Sequence, residues 1–377
     1  MRHNHLPTPY YEYDLGLLRC TLMELNSCAQ NFDYHVHYAL KANVNDEILE
    51  EVLTAGLGAD CVSGNEIEKA LNTGFSNHQI VFAGVGKTDK EIKLALEKNI
   101  HAFNCESIHE LDVINDIAKD LNLIASVALR INPNVDPQTH EFITTGLSEN
   151  KFGIHPSELL DVIQMINDLD HINFIGLHFH IGSQITDLSV FSELCDRVNV
   201  IYNELKIAGI TISYLNMGGG FGVNYEDPDQ QLIPDFKSFF KLFKMQLNID
   251  SNVNVHFELG RSIVAQCGSL ITSVLYLKEG LEKNFLIVDA GMTELLRPAL
   301  YAAYHKVEYA TINKEEEYMI FDVVGPICES SDIFGKDILL PRLKRGERLK
   351  IRSTGAYGEV MSSNYNLREK VKAYYLI

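Results

Sequence analysis

Positive charge is in short supply in this chain. Lysine and arginine together number 32 against 51 aspartates and glutamates, a formal net charge of −19. That excess argues against a non-specific nucleic-acid or anionic-membrane surface, although a local cleft can oppose the total. There is no CxxC pair among the seven cysteines at 20, 28, 61, 105, 195, 267 and 328, and their number is odd. Most lie in apolar runs, so buried free thiols in a reducing compartment are expected. No run approaches the ~18 apolar residues of a membrane span. The segment Met1-Arg-His-Asn-His-Leu-Pro-Thr-Pro9 has no apolar signal core, and the expectation is a cytoplasmic protein. Internal repeats and low-complexity segments are also missing. The charged run Asn313-Lys-Glu-Glu-Glu317 reads as a solvated turn.

What is present is a chain of 377 residues, 46% of them hydrophobic, enough for an ordered core and for two domains. Apolar, strand-like stretches at 35–41, 57–63, 78–84, 101–105, 124–131, 173–181, 213–218 and 253–258 alternate with stretches of helical spacing. The helical stretches are 46–55, 65–73, 89–98, 107–120, 156–168, 188–208 and 235–247, and another, Leu15 to about Ala29, precedes them all. Eight such units in about 230 residues match a (β/α)₈ TIM-type barrel. An open doubly wound sheet is the alternative. The barrel is preferred because polar and glycine-rich motifs recur at several strand ends. After Arg261 the pattern changes to alternating segments at 269–277, 284–289, 318–324, 347–353 and 371–376, the mark of a mainly antiparallel β domain. The expected division is a barrel over 15–262 and a second β domain made of 1–14 with 263–377.

In a barrel of this kind the site is built at the carboxyl ends of the strands. That rule collects Lys41, Asp60 with Ser63, Arg130 with Asn132, His178 with His180, Gly182 with Ser183, Gly218-Gly-Gly220 with Gly222, and Glu258 with Gly260-Arg261. The glycine run lets backbone N–H groups approach an anion, and the loops after strands seven and eight are the usual phosphate cradle. His178-Phe-His180 could begin a zinc site, but no third His or Cys clearly completes it. His180 could instead lie flat on an aromatic ring, with His178 a hydrogen-bonded core residue. A carboxylate at Glu258 could keep a pyridine nitrogen protonated, unless it pairs with Arg261. A reactive lysine, a phosphate cradle, a stacking imidazole and a ring-nitrogen carboxylate together describe pyridoxal 5'-phosphate. Further along, Arg297-Pro-Ala-Leu-Tyr301 suits a carboxylate. Gly325-Pro-Ile-Cys-Glu-Ser-Ser-Asp332 sets a thiol beside a carboxylate, and Gly355-Ala-Tyr357 sets a phenol after a glycine.

With these motifs in order along nearly the whole chain, the sequence resembles the alanine racemase-like, fold type III pyridoxal-phosphate decarboxylases. Within them it is most similar to the branch acting on meso-diaminopimelate. The matching segments are Tyr38-Ala-Leu-Lys-Ala-Asn43, Gly58-Ala-Asp-Cys-Val-Ser-Gly64, His180-Ile-Gly-Ser-Gln184, Asn216-Met-Gly-Gly-Gly220, Glu258-Leu-Gly-Arg261, Arg297-Pro-Ala-Leu-Tyr301, Cys328-Glu-Ser330 and Gly355-Ala-Tyr357. Leu259 departs from the family's usual proline. The resemblance implies that Lys41 is the Schiff-base lysine, His180 the stacked imidazole and Glu258 the ring-nitrogen partner. It implies Asp60, Ser183, Gly219, Gly220, Gly260, Arg261 and Tyr357 as further cofactor contacts. Arg261, Arg297, Tyr301 and Tyr357 match substrate positions, with Glu329 suited to a distal ammonium. It further implies a homodimer with shared active sites, in which Cys328 reprotonates the substrate carbon and Lys151 and Asp332 match positions that can pair between subunits. The implied reaction converts meso-2,6-diaminopimelate to L-lysine and CO₂, with no metal.

Overall fold

The computed structural model describes residues 6–136, 151–310 and 317–377. Most of the charged run expected as a turn at 313–317 therefore lies outside the described residues. One strand, β1 (Tyr10–Asp14), precedes eight barrel strands: β2 (Tyr34–Ala39), β3 (Gly58–Cys61), β4 (Ile80–Phe82), β5 (Ala102–Cys105), β6 (Ala125–Arg130), β7 (Ile172–His178), β8 (Tyr214–Asn216) and β9 (Asn254–Leu259). Seven more follow: β10 (Gly268–Glu279), β11 (Asn284–Val288), β12 (Val307–Tyr309), β13 (Tyr318–Val324), β14 (Ile333–Pro341), β15 (Arg348–Ile351) and β16 (Lys372–Leu376). The chain divides into two compact units, one of 22–222 with 235–260, the other of 1–21, 223–234 and 261–377.

The first unit holds a closed barrel in which β2 to β9 pair in sequence order and β9 closes on β2, all in parallel. Closure excludes the open-sheet alternative. The eight expected strands all form, most of them ending earlier than expected. One early end matters most: the strand expected to reach Lys41 stops at Ala39, and Leu40–Ala42 make a 3₁₀ turn. The helices between strands start where serine and aspartate cap them. Ser63, Asp187 and Asp235 side chains accept backbone N–H groups in the first turns of Gly64–Thr73, Leu188–Ile207 and Phe236–Gln246. Phe191, Phe236, Phe239, Phe240, Phe243 and Phe257 are fully buried and pack edge to face and tilted between the last helices and β9. Where β7 meets β8, Gly176 faces Tyr214, and a Cβ there would lie 1.8 Å from the Tyr214 carbonyl oxygen. No side chain fits that approach.

At the amino-terminal mouth of the barrel, a cleft of about 830 Å³ is lined by His35, His37, His78, His101 and His256 among others. His37 Nδ1 donates to the Gln79 carbonyl at 3.1 Å, so its Nε2 accepts from His256 Nδ1 at 2.9 Å. His35 stacks on His256 at 4.7 Å. Burial pushes His37 down to about 4, and burial with the neighbouring imidazoles lowers His256 and His101 too. An unfolded histidine takes up its proton near 6.5. Unfolded chains therefore bind more protons below that pH, and stability, complete above about 6.5, falls as pH drops toward about 4. For His37 alone the gap corresponds to roughly 3 kcal/mol. Denaturant unfolding between pH 7.5 and 4.5 should show this decline, with a shallower one in His37→Gln. Equal slopes in the two proteins would remove the histidine from the account.

The second unit holds the strands expected after Arg261 and two that composition hid. Its sheet runs β12-β15-β10-β11-β13-β14, and β1 joins it through β10 and β16. Pairing is antiparallel except between β11 and β13 and between β1 and β16. The short β12 and the interrupted β14, whose Gly335-Lys-Asp337 breaks its alternation, carry no clear strand pattern. Five cysteines are buried, Cys20 and Cys328 are exposed, and all seven are free thiols.

Candidate active site

The barrel's carboxyl-terminal mouth gathers a polar cluster around Glu258. Four strands build it. Glu258, at the end of β9, is 4% exposed. Its Oε1 accepts from Asn104 Nδ2 on β5 at 3.0 Å and from Asn216 Nδ2 on β8 at 2.8 Å, and its Oε2 accepts from His178 Nε2 on β7 at 3.1 Å. Burial opposes ionisation here, but His178 and Lys41 outweigh it and hold the carboxyl far below its ordinary range. A fully buried carboxylate is thus kept charged by donors converging from three other strands.

Lys41 stands on the 3₁₀ turn after β2. Tyr38 Oη donates to the Asn43 carbonyl at 2.9 Å, and Asn43 N–H closes the turn on Leu40. The Lys41 amine lies 3.0 Å from Asp60 Oδ2, which ends β3. Asp60 is fully buried, and its Oδ1 has no hydrogen-bond partner. Burial first, and Glu258 second, raise its carboxyl, with Lys41 pulling the other way.

The glycine run lies between the same strands. Gly218 carbonyl accepts from Glu258 N–H at 2.8 Å, and Gly219 N–H donates to His180 Nδ1 at 3.2 Å. A Cβ on Gly219 would meet the Glu258 carbonyl oxygen at 1.9 Å, and one on Gly220, at φ +100°, the Gly182 carbonyl at 2.5 Å. Only glycine permits this approach. His180 is half-buried; desolvation and the cations Arg130 and Lys41 hold its imidazole well below 6.5, so it is neutral, with its lone pair on Nδ1. Ser183 follows in the same loop, half-buried. Arg130, ending β6, is committed to Glu106 at 2.7 Å.

In the second unit, Arg261 and Arg297 share a phenol. Tyr225 Oη accepts from Arg261 Nη1 at 2.7 Å and from Arg297 Nη1 at 3.0 Å. Burial opposes its ionisation, but the two guanidiniums more than offset that and lower it. Arg261 also lies over the Tyr357 ring at 4.8 Å, and Tyr357 has φ +57°, an uncommon conformation for a bulky residue. Tyr301 ends the short helix Arg297–Tyr301 that Arg297 begins. The turn carrying Cys328 is tied by Asp332, whose Oδ2 accepts Ile327 N–H at 2.7 Å and whose Oδ1 accepts Met292 N–H at 2.6 Å. Asp332 is buried and engaged with its own chain's backbone, whereas Cys328 and Glu329 are exposed, Glu329 accepting Tyr365 Oη–H at 2.7 Å.

Within the barrel unit the structure thus brings together Lys41, Asp60, His180, Gly219, Gly220 and Glu258. Within the second unit it brings together Arg261, Arg297 and Tyr357. His178 is bonded to Glu258, and among the described residues no group of three or more His, Cys, Asp or Glu could hold a metal ion. Sequence reasoning passed over Asn104, Tyr225 and His305. Asn104 had a signal, a polar residue near the end of an apolar strand. The other two had none: Tyr225 acts through Arg261 and Arg297, 36 and 72 positions away, and His305 through Arg297 eight positions back, a spacing with no helical or strand period behind it.

Residues 21–265 match the family model for the pyridoxal binding domain of pyridoxal-dependent decarboxylases. The diaminopimelate decarboxylase of Bacteroides thetaiotaomicron is 53% identical over 370 residues, covering 98% of this chain and 95% of that protein. The crystal structure of diaminopimelate decarboxylase from Helicobacter pylori complexed with L-lysine superposes with a TM-score of 0.94 at 40% identity, covering 100% of this chain and 93% of that one. The M. jannaschii enzyme in complex with L-lysine gives 0.91 at 37%, covering 100% and 88%.

Proposed function

This chain belongs to the diaminopimelate decarboxylases, a family of pyridoxal-dependent decarboxylases, and from that membership we propose that it converts meso-2,6-diaminopimelate to L-lysine and CO₂, the last step of lysine biosynthesis. The observation that carries this reading is the buried, ionised Glu258 in the same strand-end cluster as the Lys41 amine. Burying a carboxylate costs several kcal/mol unless donors and cations offset it, and here Asn104, Asn216, His178 and Lys41 are gathered to keep it charged, as a ring-nitrogen partner requires.

The barrel residues fit pyridoxal phosphate. Asp60 offers a buried oxygen without a partner among the described residues, and Gly219 and Gly220 run so close to the Glu258 and Gly182 carbonyls that only glycine lets the loop backbone lie there. Lys41 would hold the cofactor through its amine, His180 would cover a ring face, and Glu258 would keep a proton at the ring nitrogen. Ser183, Gly219, Gly220 and Gly260 would receive the phosphate, with Arg261 and Tyr357 beside it. When bound, the cofactor supplies an electron-withdrawing ring that accepts the electron pair of the departing carboxylate.

The remaining roles fall to the second unit. Arg261, Arg297 and Tyr301 bind the distal carboxylate, the group that separates this substrate from ornithine, and Glu329 binds the distal ammonium. Cys328 delivers a proton to the carbon that has lost CO₂, the work of a general acid. The exposure of Cys328 and Glu329 suits a cytoplasmic homodimer in which each subunit lends this turn to its partner's site. Cys328→Ala should lower kcat by about 100-fold, the scale of a lost general acid, with the cofactor's visible absorbance retained. Normal turnover to clean L-lysine would take the thiol out of the mechanism. The activity itself is tested by CO₂ release from purified protein, which should be rapid with meso-diaminopimelate and weak with ornithine.

A further inference from the structure

Both hydrogen bonds made by Arg297 leave from one nitrogen. Its Nη1 donates to Tyr225 Oη at 3.0 Å and to His305 Nε2 at 2.9 Å. Its Nε is buried and, among the described residues, has no partner. His305 is 1% exposed, and its Nδ1 donates to the Arg352 carbonyl at 2.9 Å, which leaves Nε2 as the acceptor. Burial and the adjacent Arg297 push His305 down to about 3, so it accepts at any working pH. The Tyr225 and His305 rings meet edge to face at 5.1 Å, and Arg297 lies 4.9 Å from the Tyr225 ring centre.

Tyr225 is itself anchored. Its segment, 223–234, is tied to the sheet by Arg352 with Asp229 at 2.9 Å, by Lys306 with Asp227 and Asp229 at 3.5 Å each, and by Gln266 Nε2 with the Asn224 carbonyl at 3.2 Å. Arg261 and Arg297 repel each other. The shared phenol oxygen fixes their spacing, and the phenol and imidazole together occupy the Nη1 side of Arg297. What remains is the Nε–Nη2 edge, two parallel donors matched to one carboxylate.

We propose that Tyr225 and His305 are positioning residues that turn the free Nε–Nη2 edge of Arg297 toward the substrate's distal carboxylate, and that Tyr225 thereby sets the preference for a substrate with two carboxylates. This rests on the function proposed above. It differs from a structural role for these side chains because it predicts losses confined to ligands that carry the distal carboxylate.

The test uses holoenzyme. Tyr225→Phe should raise KM for meso-diaminopimelate about 10- to 30-fold, the scale of a displaced charge-assisted hydrogen bond, and leave kcat within about threefold. The inhibition constants of pimelate, a dicarboxylate without amines, and of L-lysine, which keeps the distal carboxylate after CO₂ has left the other end, should rise equally, while that of cadaverine, a diamine with no carboxylate, stays constant. His305→Leu should reproduce the defect, and His305→Gln, which keeps an acceptor, should recover part of it. In an Arg297→Ala background Tyr225→Phe should add less than about twofold. An unchanged KM in Tyr225→Phe, additive losses in the double variant, or a loss of visible cofactor absorbance with KM unaltered would each overturn the proposal. If the wild-type protein releases no CO₂ from diaminopimelate, the functional reading fails and this proposal falls with it. If it does and the variants behave as wild type, only the positioning role fails.

Discussion

Lys41→Ala should yield a colourless protein whose turnover of diaminopimelate falls by at least about 10⁴-fold. The amine is proposed as the only covalent hold on the cofactor, so its loss removes both attachment and the group that releases product. A second effect has to be separated from the first. Lys41 lies 3.0 Å from the buried Asp60 carboxylate, and removing the cation leaves that carboxylate unpaired. The cost is moderated because the Lys41 side chain is 33% exposed and because burial already raises the Asp60 carboxyl, which can take up a proton instead. Lys41→Arg resolves the two effects. It keeps a cation at Asp60 but has no amine to attach the cofactor, so it should restore stability without restoring colour or activity. Thermal unfolding, an absorbance spectrum after gel filtration from excess cofactor, and a CO₂-release assay read the three in turn. A coloured Lys41→Ala protein with more than a few per cent of normal turnover would end the case for this lysine.

Glu258→Gln is expected to lower kcat by about 10²- to 10³-fold with the fold intact, a loss of roughly 3–4 kcal/mol of transition-state stabilisation. The fold should survive for a specific reason. Asn104 and Asn216 both donate to Oε1, a role the glutamine carbonyl oxygen can fill. Its NH₂ then faces His178 Nε2, which now donates. His178 can reverse its tautomer, because its Nδ1 is buried without a partner and can take the proton. The hydrogen-bond count is kept and the charge is lost. The variant should therefore unfold within a few degrees of wild type and still take up cofactor, with an altered visible spectrum. If its kcat stays within about threefold of wild type, the ring-nitrogen role is wrong and Glu258 is only the centre of a core network.

Much of the barrel was legible because its signals are local. Each strand is a short apolar run, each helix an amphipathic stretch, several of them opened by a cap, and their alternation forces parallel pairing. The strand-end rule reached Lys41, Asp60, His180 and Glu258 without any knowledge of distance. Local signals also explain the errors. The apolar run through Lys41 looks like continuous strand, but Tyr38 and Asn43 bend it into a 3₁₀ turn. Gly335-Lys-Asp337 hid β14, which exists because β13 supplies an antiparallel partner along its length.

The sequence alone determined which chemistries the chain carries and at which strand ends they stand, because side-chain type, hydrophobic period and turn residues are properties of neighbours. Which side chains share a hydrogen bond was decided only in three dimensions. Glu258 meets Asn104 across 154 positions and His178 across 80, and Arg297 meets Tyr225 across 72. Barrel closure and sheet pairing set those encounters, and no pattern spanning a few residues records them.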